Sequence, residues 1–492
     1  MSTRILFRTL FTTLLVLIIL ASQVQSQVIS NKLKESLEKN RIGNIIVTFK
    51  TRPLEALNRV VEKIRTIKNR GERLHLLSNE LENNAFKSQN TTLEMLQSKR
   101  AKYFSLWLTN QVSVRGASID LVNTIGSLPE VLRVEECKTF VFPQEKFQNS
   151  STTLIEDIFS EPQEGHDLPV DVEPIGLYMD KLEVAKAWKL GFFGSGIVIG
   201  IIDTGVVGTH DALRDNYVGT KNYGWFDAVN TTKYPIAVEK YGFGHGTCCL
   251  GAAVAQYGIG VAPAAKWMAC LAADEDGIWY EDLVLSCLQF MLCPTDYQGN
   301  NKNCSKAPNI VTNSWYYPSG EDDSVLREIT PVLVESQIHF LFCAGNEGPG
   351  CGTVAAPGSY KDFIAVGAGT HEDNLQDYSS WGPGDDGIIK PDVIAGGKWV
   401  HTTCTGSDYT YTTAEGCSLA TPMVAGVVAL MLQKNPSLSP AEVKQILMKT
   451  TTNVTALNED ECGGVPVNKI PNHQIGYGFV NAFNAVNSVP VS

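Results

Sequence analysis

Val198-Ile199-Gly200-Ile201-Ile202-Asp203-Thr204-Gly205 reads as a strand that is apolar along its length and closes on a carboxylate. Apolar residues at successive rather than alternate positions mean a strand covered on both faces, as in a parallel sheet. Outward from this strand, 197–202, the pattern recurs at 267–272, 310–313, 339–343, 363–367 and 393–395, with helical stretches between. Such alternation from residue 182 onward predicts an α/β fold: a doubly wound, mostly parallel sheet with helices on both faces. The unit is expected to span 175–492, its regular structure ending near Asn487.

Residues 44–142 predict a smaller α/β unit. Strand-like sequence at 45–49 is followed by charged, amphipathic helical sequence over 53–103, then by strands at 109–121 and 131–142. Residues 143–174 are acidic and carry Pro143, Pro162 and Pro169, a linker composition. Residues 1–26 combine Arg4 and Arg8 with a short apolar run and small residues near Ser26. This reads as a secretory signal rather than an anchor, because the run is shorter than the ~20 residues a bilayer needs. The expected location is therefore secreted or extracellular, or the lumen of the secretory pathway, with no membrane association after the signal is removed.

Secretion changes how the twelve cysteines read. Outside the cytosol they predict disulfides, and no spacing among them suggests zinc. Only Cys137 lies between the signal and residue 150, leaving an odd eleven beyond it. Sequons occur at Asn90, Asn149, Asn230, Asn303 and Asn453. Residues 27–150 carry a formal charge of +7 and residues 151–492 carry −21. The basic residues are interleaved with acids along helical stretches, which argues against nucleic acid and for two mutually attractive parts of one chain.

Four segments carry chemistry. Asp203 ends a buried strand, where open parallel sheets build their sites. His245, in Gly244-His245-Gly246-Thr247, has glycines on both sides that let other backbone approach the ring. Ser418, in Gly416-Cys417-Ser418-Leu419-Ala420-Thr421-Pro422, stands where a helix begins, with Pro422 in its first turn. Asn346, in Ala344-Gly345-Asn346-Glu347-Gly348, ends a further strand and offers an amide donor. Singly, each has an ordinary structural reading: a strand-end cap, a core histidine, a helix cap, a turn. Together they supply a weak nucleophile, the base it needs and the group that orients the base.

In the chain order Asp…His…Ser, these segments resemble the subtilisin-like serine proteases over roughly residues 175–487. Residues 44–142, ending in Leu128-Pro129-Glu130-Val131-Leu132-Arg133-Val134, resemble the inhibitor-type propeptide of that family. The resemblance implies a serine endopeptidase made as a self-processing zymogen. Asp203, His245 and Ser418 would be catalytic, and Asn346 with the Ser418 N–H would form the oxyanion hole. Ser314, Trp315, Tyr316, Ala344 and Gly345 would line the substrate site. The implied partners are protein or peptide substrates and the chain's own propeptide, acting on a monomer. No metal or organic cofactor is required; structural calcium occurs in the family, but no convincing ligand set is recognisable here.

The sequence departs from the family pattern at several points. Cys417 stands where a Thr is usual, and a thiol is the weaker donor. Cys248 and Met423 replace usual histidines. Tyr316 stands where many members have a pocket-lining Gly. Its ring either points inward and narrows the pocket or turns out against Trp315 or Tyr317. Competing readings are a non-catalytic binding protein on the same fold, an exopeptidase, or a processing protease of restricted specificity. The intact triad and the lack of a cleft-closing insertion weigh against the first two.

Overall fold

The computed structural model describes residues 28–140, 176–238, 244–318, 320, 322–457 and 461–491. The signal and the linker fall outside them. Among the described residues two compact units are present: residues 28–67 with 76–139, and residues 68–75 with those from 140 onward.

In the first unit, α1 (Asn31–Asn40), β1 (Ile42–Phe49), α2 (Pro53–Thr66), α3 (Arg70–Ser98), β2 (Lys102–Leu106), β3 (Gln111–Ser118), α4 (Ile119–Gly126), β4 (Val131–Glu136) and β5 (Thr139–Phe140) follow in order, α3 beginning and β5 ending in segments grouped with the second unit. The antiparallel sheet runs β2-β3-β1-β4. Ile45, Val47, Val112, Val114 and Val134 form its buried face with Leu33, Leu37, Val122 and Ile125 from the helices. Three expectations are corrected. The helical stretch 53–103 breaks between Thr66 and Arg70, and its end is strand β2. The strand expected over 109–121 stops at Ser118, whose hydroxyl accepts the Leu121 N–H and starts α4. The strand expected over 131–142 is interrupted after Glu136.

The second unit is built on a seven-stranded sheet of order β13-β12-β11-β10-β6-β8-β7. Its strands are β6 (Val198–Asp203), β7 (Trp225–Asp227), β8 (Lys266–Leu271), β10 (Ile310–Asn313), β11 (His339–Cys343), β12 (Ile364–Gly369) and β13 (Val393–Gly396), with β9 (Trp279–Tyr280) a short strand outside it. Every pairing in the sheet is parallel. After β6 the chain builds β7 and β8 on one side, then returns to place β10 on the other. The carboxyl end of β6, where Asp203 sits, is thus a topological switch point, the place where such sheets open a crevice.

Around the sheet are α5 (Leu177–Lys181), α6 (Val184–Lys189), α7 (His245–Val254), α8 (Glu281–Leu292), α9 (Ser324–Glu335), α10 (Cys417–Lys434), α11 (Pro440–Lys449) and α12 (Ala482–Ser488). A hairpin, β14 (Val400–Thr403) with β15 (Tyr411–Ala414), precedes α10. Residues 417–432 of α10 are all buried, against α7 and β10–β13. Among the described residues α10 is long and apolar enough to cross a membrane, and here it is the core helix of the unit. Disulfides join Cys270 to Cys287, Cys293 to Cys304 and Cys351 to Cys462.

Candidate active site

Asp203 ends β6 with 1% of its surface exposed. Its Oδ1 accepts from Nδ1 of His245 at 2.7 Å and from the Thr204 N–H at 2.8 Å. A carboxylate on Nδ1 fixes the proton there, so in the neutral ring Nε2 is left as the basic atom. His245 opens α7 immediately after Gly244, which is left-handed at φ 66°. The next residue must be glycine for another reason: a Cβ on Gly246 would lie 2.2 Å from the Gly205 carbonyl and 3.0 Å from the Asp203 Cβ. The Gly246 N–H donates to Thr204 Oγ1 at 3.1 Å, and the Thr403 and Thr402 hydroxyls donate to the carbonyls of Thr247 and Cys248. The helix that carries the histidine is thus pinned to β6 and to the hairpin.

Ser418 is the second residue of α10 and is 2% exposed. Gly416 before it adopts φ 136°, its N–H shared between the Gly397 carbonyl and the Tyr378 hydroxyl. Tyr378 in turn donates to the Gly397 carbonyl. Pro422 lies in the second turn, not the first. It has no N–H for the carbonyl four residues back, that of Ser418, and the Ser314 hydroxyl takes that acceptor at 2.7 Å. The Ser418 hydroxyl donates to the Ser314 carbonyl at 3.2 Å.

Asn346 follows the end of β11. The Cys417 N–H can donate only to oxygen, and it meets Asn346 Oδ1 at 3.0 Å. The amide is thereby oriented, with its Nδ2 donors left for other acceptors. The Ser418 N–H is among the leading amides of α10, which have no acceptor inside the helix.

The residues expected to bind substrate divide into two sets. Ser314 holds Ser418. Ala344 and Gly345 form an edge whose carbonyls accept the N–H groups of Ala355 and Ser380. Trp315 is buried, its ring edge-on to Phe342 at 5.4 Å and tilted on Trp279 at 6.4 Å. Tyr316 is 4% exposed and points inward, its hydroxyl accepting the Asn346 N–H at 3.3 Å. The Cys417 side chain is buried with Tyr316 and Cys343.

Three contributors escaped the sequence reading. Thr204 and Tyr378 act through backbone contacts that no motif announces. Cys249 places its Sγ 3.8 Å from Nε2 and 3.9 Å from Nδ1 of His245, and its spacing of four residues on one helix was a readable signal.

The Subtilase family profile matches residues 194–478. Bacillopeptidase F of Bacillus subtilis (strain 168) is 30% identical over 93% of this chain, but the match covers 32% of that protein, so the chain spans about a third of its length. Serine protease AprX of the same organism is 29% identical over 60% of the chain and 67% of its own length. Subtilisin DY of Bacillus licheniformis is 29% identical over 57% of the chain and 92% of its own. The chain belongs to the subtilase family of serine-type endopeptidases.

Proposed function

We propose that this chain is a secreted endopeptidase, made as a zymogen that removes its own N-terminal segment. The observation that carries the reading is the 2.7 Å bond from Nδ1 of His245 to the buried Asp203 carboxylate, in a unit where α10, which begins with Cys417 and Ser418, packs on α7, the helix of His245. In this reading the Ser418 hydroxyl leaves the Ser314 carbonyl, gives its proton to Nε2 of His245 and attacks the scissile carbonyl. His245 then passes that proton to the leaving amine. Asp203 stabilises the imidazolium without taking up a proton itself. Asn346 Nδ2 and the Ser418 N–H receive the charge that develops on oxygen. Water repeats the sequence to release the acid. No step calls for a metal or organic cofactor.

The apolar run after Arg4 and Arg8 supports secretion, and the intact residue set supports self-cleavage within 143–174. The opposite charges of 27–150 and 151–492 support a propeptide that inhibits the peptidase until it is released. Purified protein incubated with a fluorophosphonate and with casein tests the reading. Labelling at Ser418 and casein cleavage are expected. Ser418→Ala should lose both and accumulate as the uncut chain. Normal processing of that variant, with no other protease present, would refute self-cleavage.

A further inference from the structure

The carboxyl edge of the sheet provides the crevice that a substrate side chain would enter. β10 and β11 are adjacent and parallel, and their extensions, 314–316 and 344–346, leave the sheet beside Ser418. On the endopeptidase reading, a substrate carbonyl lying between Ser418 Oγ and Asn346 Nδ2 would bring the side chain of its residue up to these extensions, because Ser314 is bonded to Ser418 and Asn346 to the Cys417 N–H. Their backbones leave little slack. A Cβ on Gly345 would meet Ser380 Oγ at 2.6 Å, and one on Gly358 would meet the Cys343 and Ala355 carbonyls at 2.8 and 3.0 Å.

The phenol of Tyr316 fills this space. It clusters with Cys343, Ala355, Ala368 and Cys417, with half-buried Tyr378 against them. Small residues surround the ring on the helix side and the sheet side alike. The hydroxyl is anchored on the Asn346 N–H, so the ring is tethered at its far end as well as packed along its faces. Burial pushes the phenol's pKa well up, which keeps it a neutral group at this position.

We infer that Tyr316 determines specificity by occupying the pocket for the side chain preceding the scissile bond, so that the enzyme cuts after glycine, alanine or serine and rejects large apolar and aromatic residues. The inference rests on the endopeptidase reading and names the substrate class of that same site. A single methylene in a pocket already shifts selectivity about 10–200-fold, and a whole ring must do at least as much.

The test uses the mature protein and quenched-fluorescence peptides that differ only in Ala, Leu or Phe before the cleaved bond. Wild type should favour Ala over Phe in kcat/KM by about 100-fold or more. Tyr316→Gly should erase or invert that ratio, and Tyr316→Phe, which keeps the ring and loses the hydroxyl, should retain it. A second readout needs no turnover. Iodoacetamide should spare Cys417 in the native wild type and modify it in Tyr316→Gly, because the ring is what covers that thiol. A protein that takes up fluorophosphonate yet cuts after Phe as readily as after Ala overturns the inference, as does equal Cys417 labelling in both forms. A protein that neither takes up fluorophosphonate nor cuts any peptide overturns the endopeptidase reading itself.

Discussion

Ser314 and Ser418 are bonded to one another twice: the Ser314 hydroxyl donates to the Ser418 carbonyl at 2.7 Å, and the Ser418 hydroxyl donates to the Ser314 carbonyl at 3.2 Å. The first bond exists because Pro422 cannot reach back to that carbonyl. A residue that looks like a helix irregularity thus leaves the Ser418 carbonyl free to be tied to the end of β10. The second bond gives the Ser418 proton an acceptor in the structure, and on the proposed mechanism this is the bond that must break before His245 can take that proton.

Ser314→Ala should therefore strand the Ser418 carbonyl in a buried site. An unmet buried acceptor costs about 1–3 kcal/mol, to be read by chemical denaturation. A fall in kcat should accompany it, since the start of α10 loses its tether. Unchanged stability would show that water or a neighbour replaces the hydroxyl.

The orientation of the Asn346 amide leads to a sharper test. Asn346→Asp keeps an oxygen for the Cys417 N–H but removes the Nδ2 donors. If those donors stabilise the oxyanion, the loss should fall in kcat, by roughly 10²–10³, the figure found on removing the corresponding donor of subtilisin. KM should change little. Asn346→Ala should lose a similar factor in kcat and also stability, because the Cys417 N–H is then unmet. Equal kcat for wild type and Asn346→Asp would remove Asn346 from the reaction.

Much of this architecture can be read from the chain. β6, β8 and β11–β13 are each four to six residues of mostly apolar sequence, β10 adds the apolar pair Ile310-Val311, and burial on both faces is what the parallel sheet requires. Edge strand β7 was not legible, because Trp225–Asp227 is too short to show a period. Nor was α4, whose start is set by one hydroxyl on Ser118. At the site, Asp203, His245, Ser418 and Asn346 stand out through their flanking glycines and strand or helix ends. The direction of the Tyr316 ring does not, because it depends on an amide thirty residues away that only the pairing of β10 with β11 brings near.

The buried phenols set the alkaline limit of the fold. Burial is the first cause that raises the pKa of Tyr178, Tyr316, Tyr317, Tyr360 and Tyr411, and it takes Tyr217 to about 12. In the unfolded chain a phenol titrates near about 10. Above that pH the unfolded state gives up protons that the folded state keeps, so stability falls as pH rises. Lys390 acts in the opposite sense. Burial lowers it to about 8, partly offset by Asp392, so between that value and about 10.4 the unfolded chain holds a proton the folded one has released. The net decline should therefore be steep only above the lysine range. The tyrosinate absorbance of these six phenols should appear together with the loss of far-ultraviolet circular dichroism. Titration of these six phenols before unfolding would contradict the burial argument.

Gly246 is the position where one methyl group should separate folding from chemistry. Its N–H donates to Thr204 Oγ1, and its missing side chain lets α7 lie against β6 so that His245 reaches Asp203. In Gly246→Ala the new Cβ falls 2.2 Å from the Gly205 carbonyl and 3.0 Å from the Asp203 Cβ, both belonging to the backbone turn that holds the carboxylate. Neither is the end of a flexible side chain, so the turn or the start of α7 has to move. Overpacking of this kind costs about 1–3 kcal/mol, which a unit with so large a buried core should survive. The reaction is less forgiving: a displacement of about 1 Å can cost about 10²-fold in rate. The variant should fold, with a lowered Tm, and lose roughly that factor in kcat. It should also lose reactivity of Ser418 towards fluorophosphonate, because a displaced imidazole no longer activates the hydroxyl. Full fluorophosphonate reactivity in a correctly folded Gly246→Ala protein would mean that the close approach of α7 to β6 is not what brings His245 into register with Asp203.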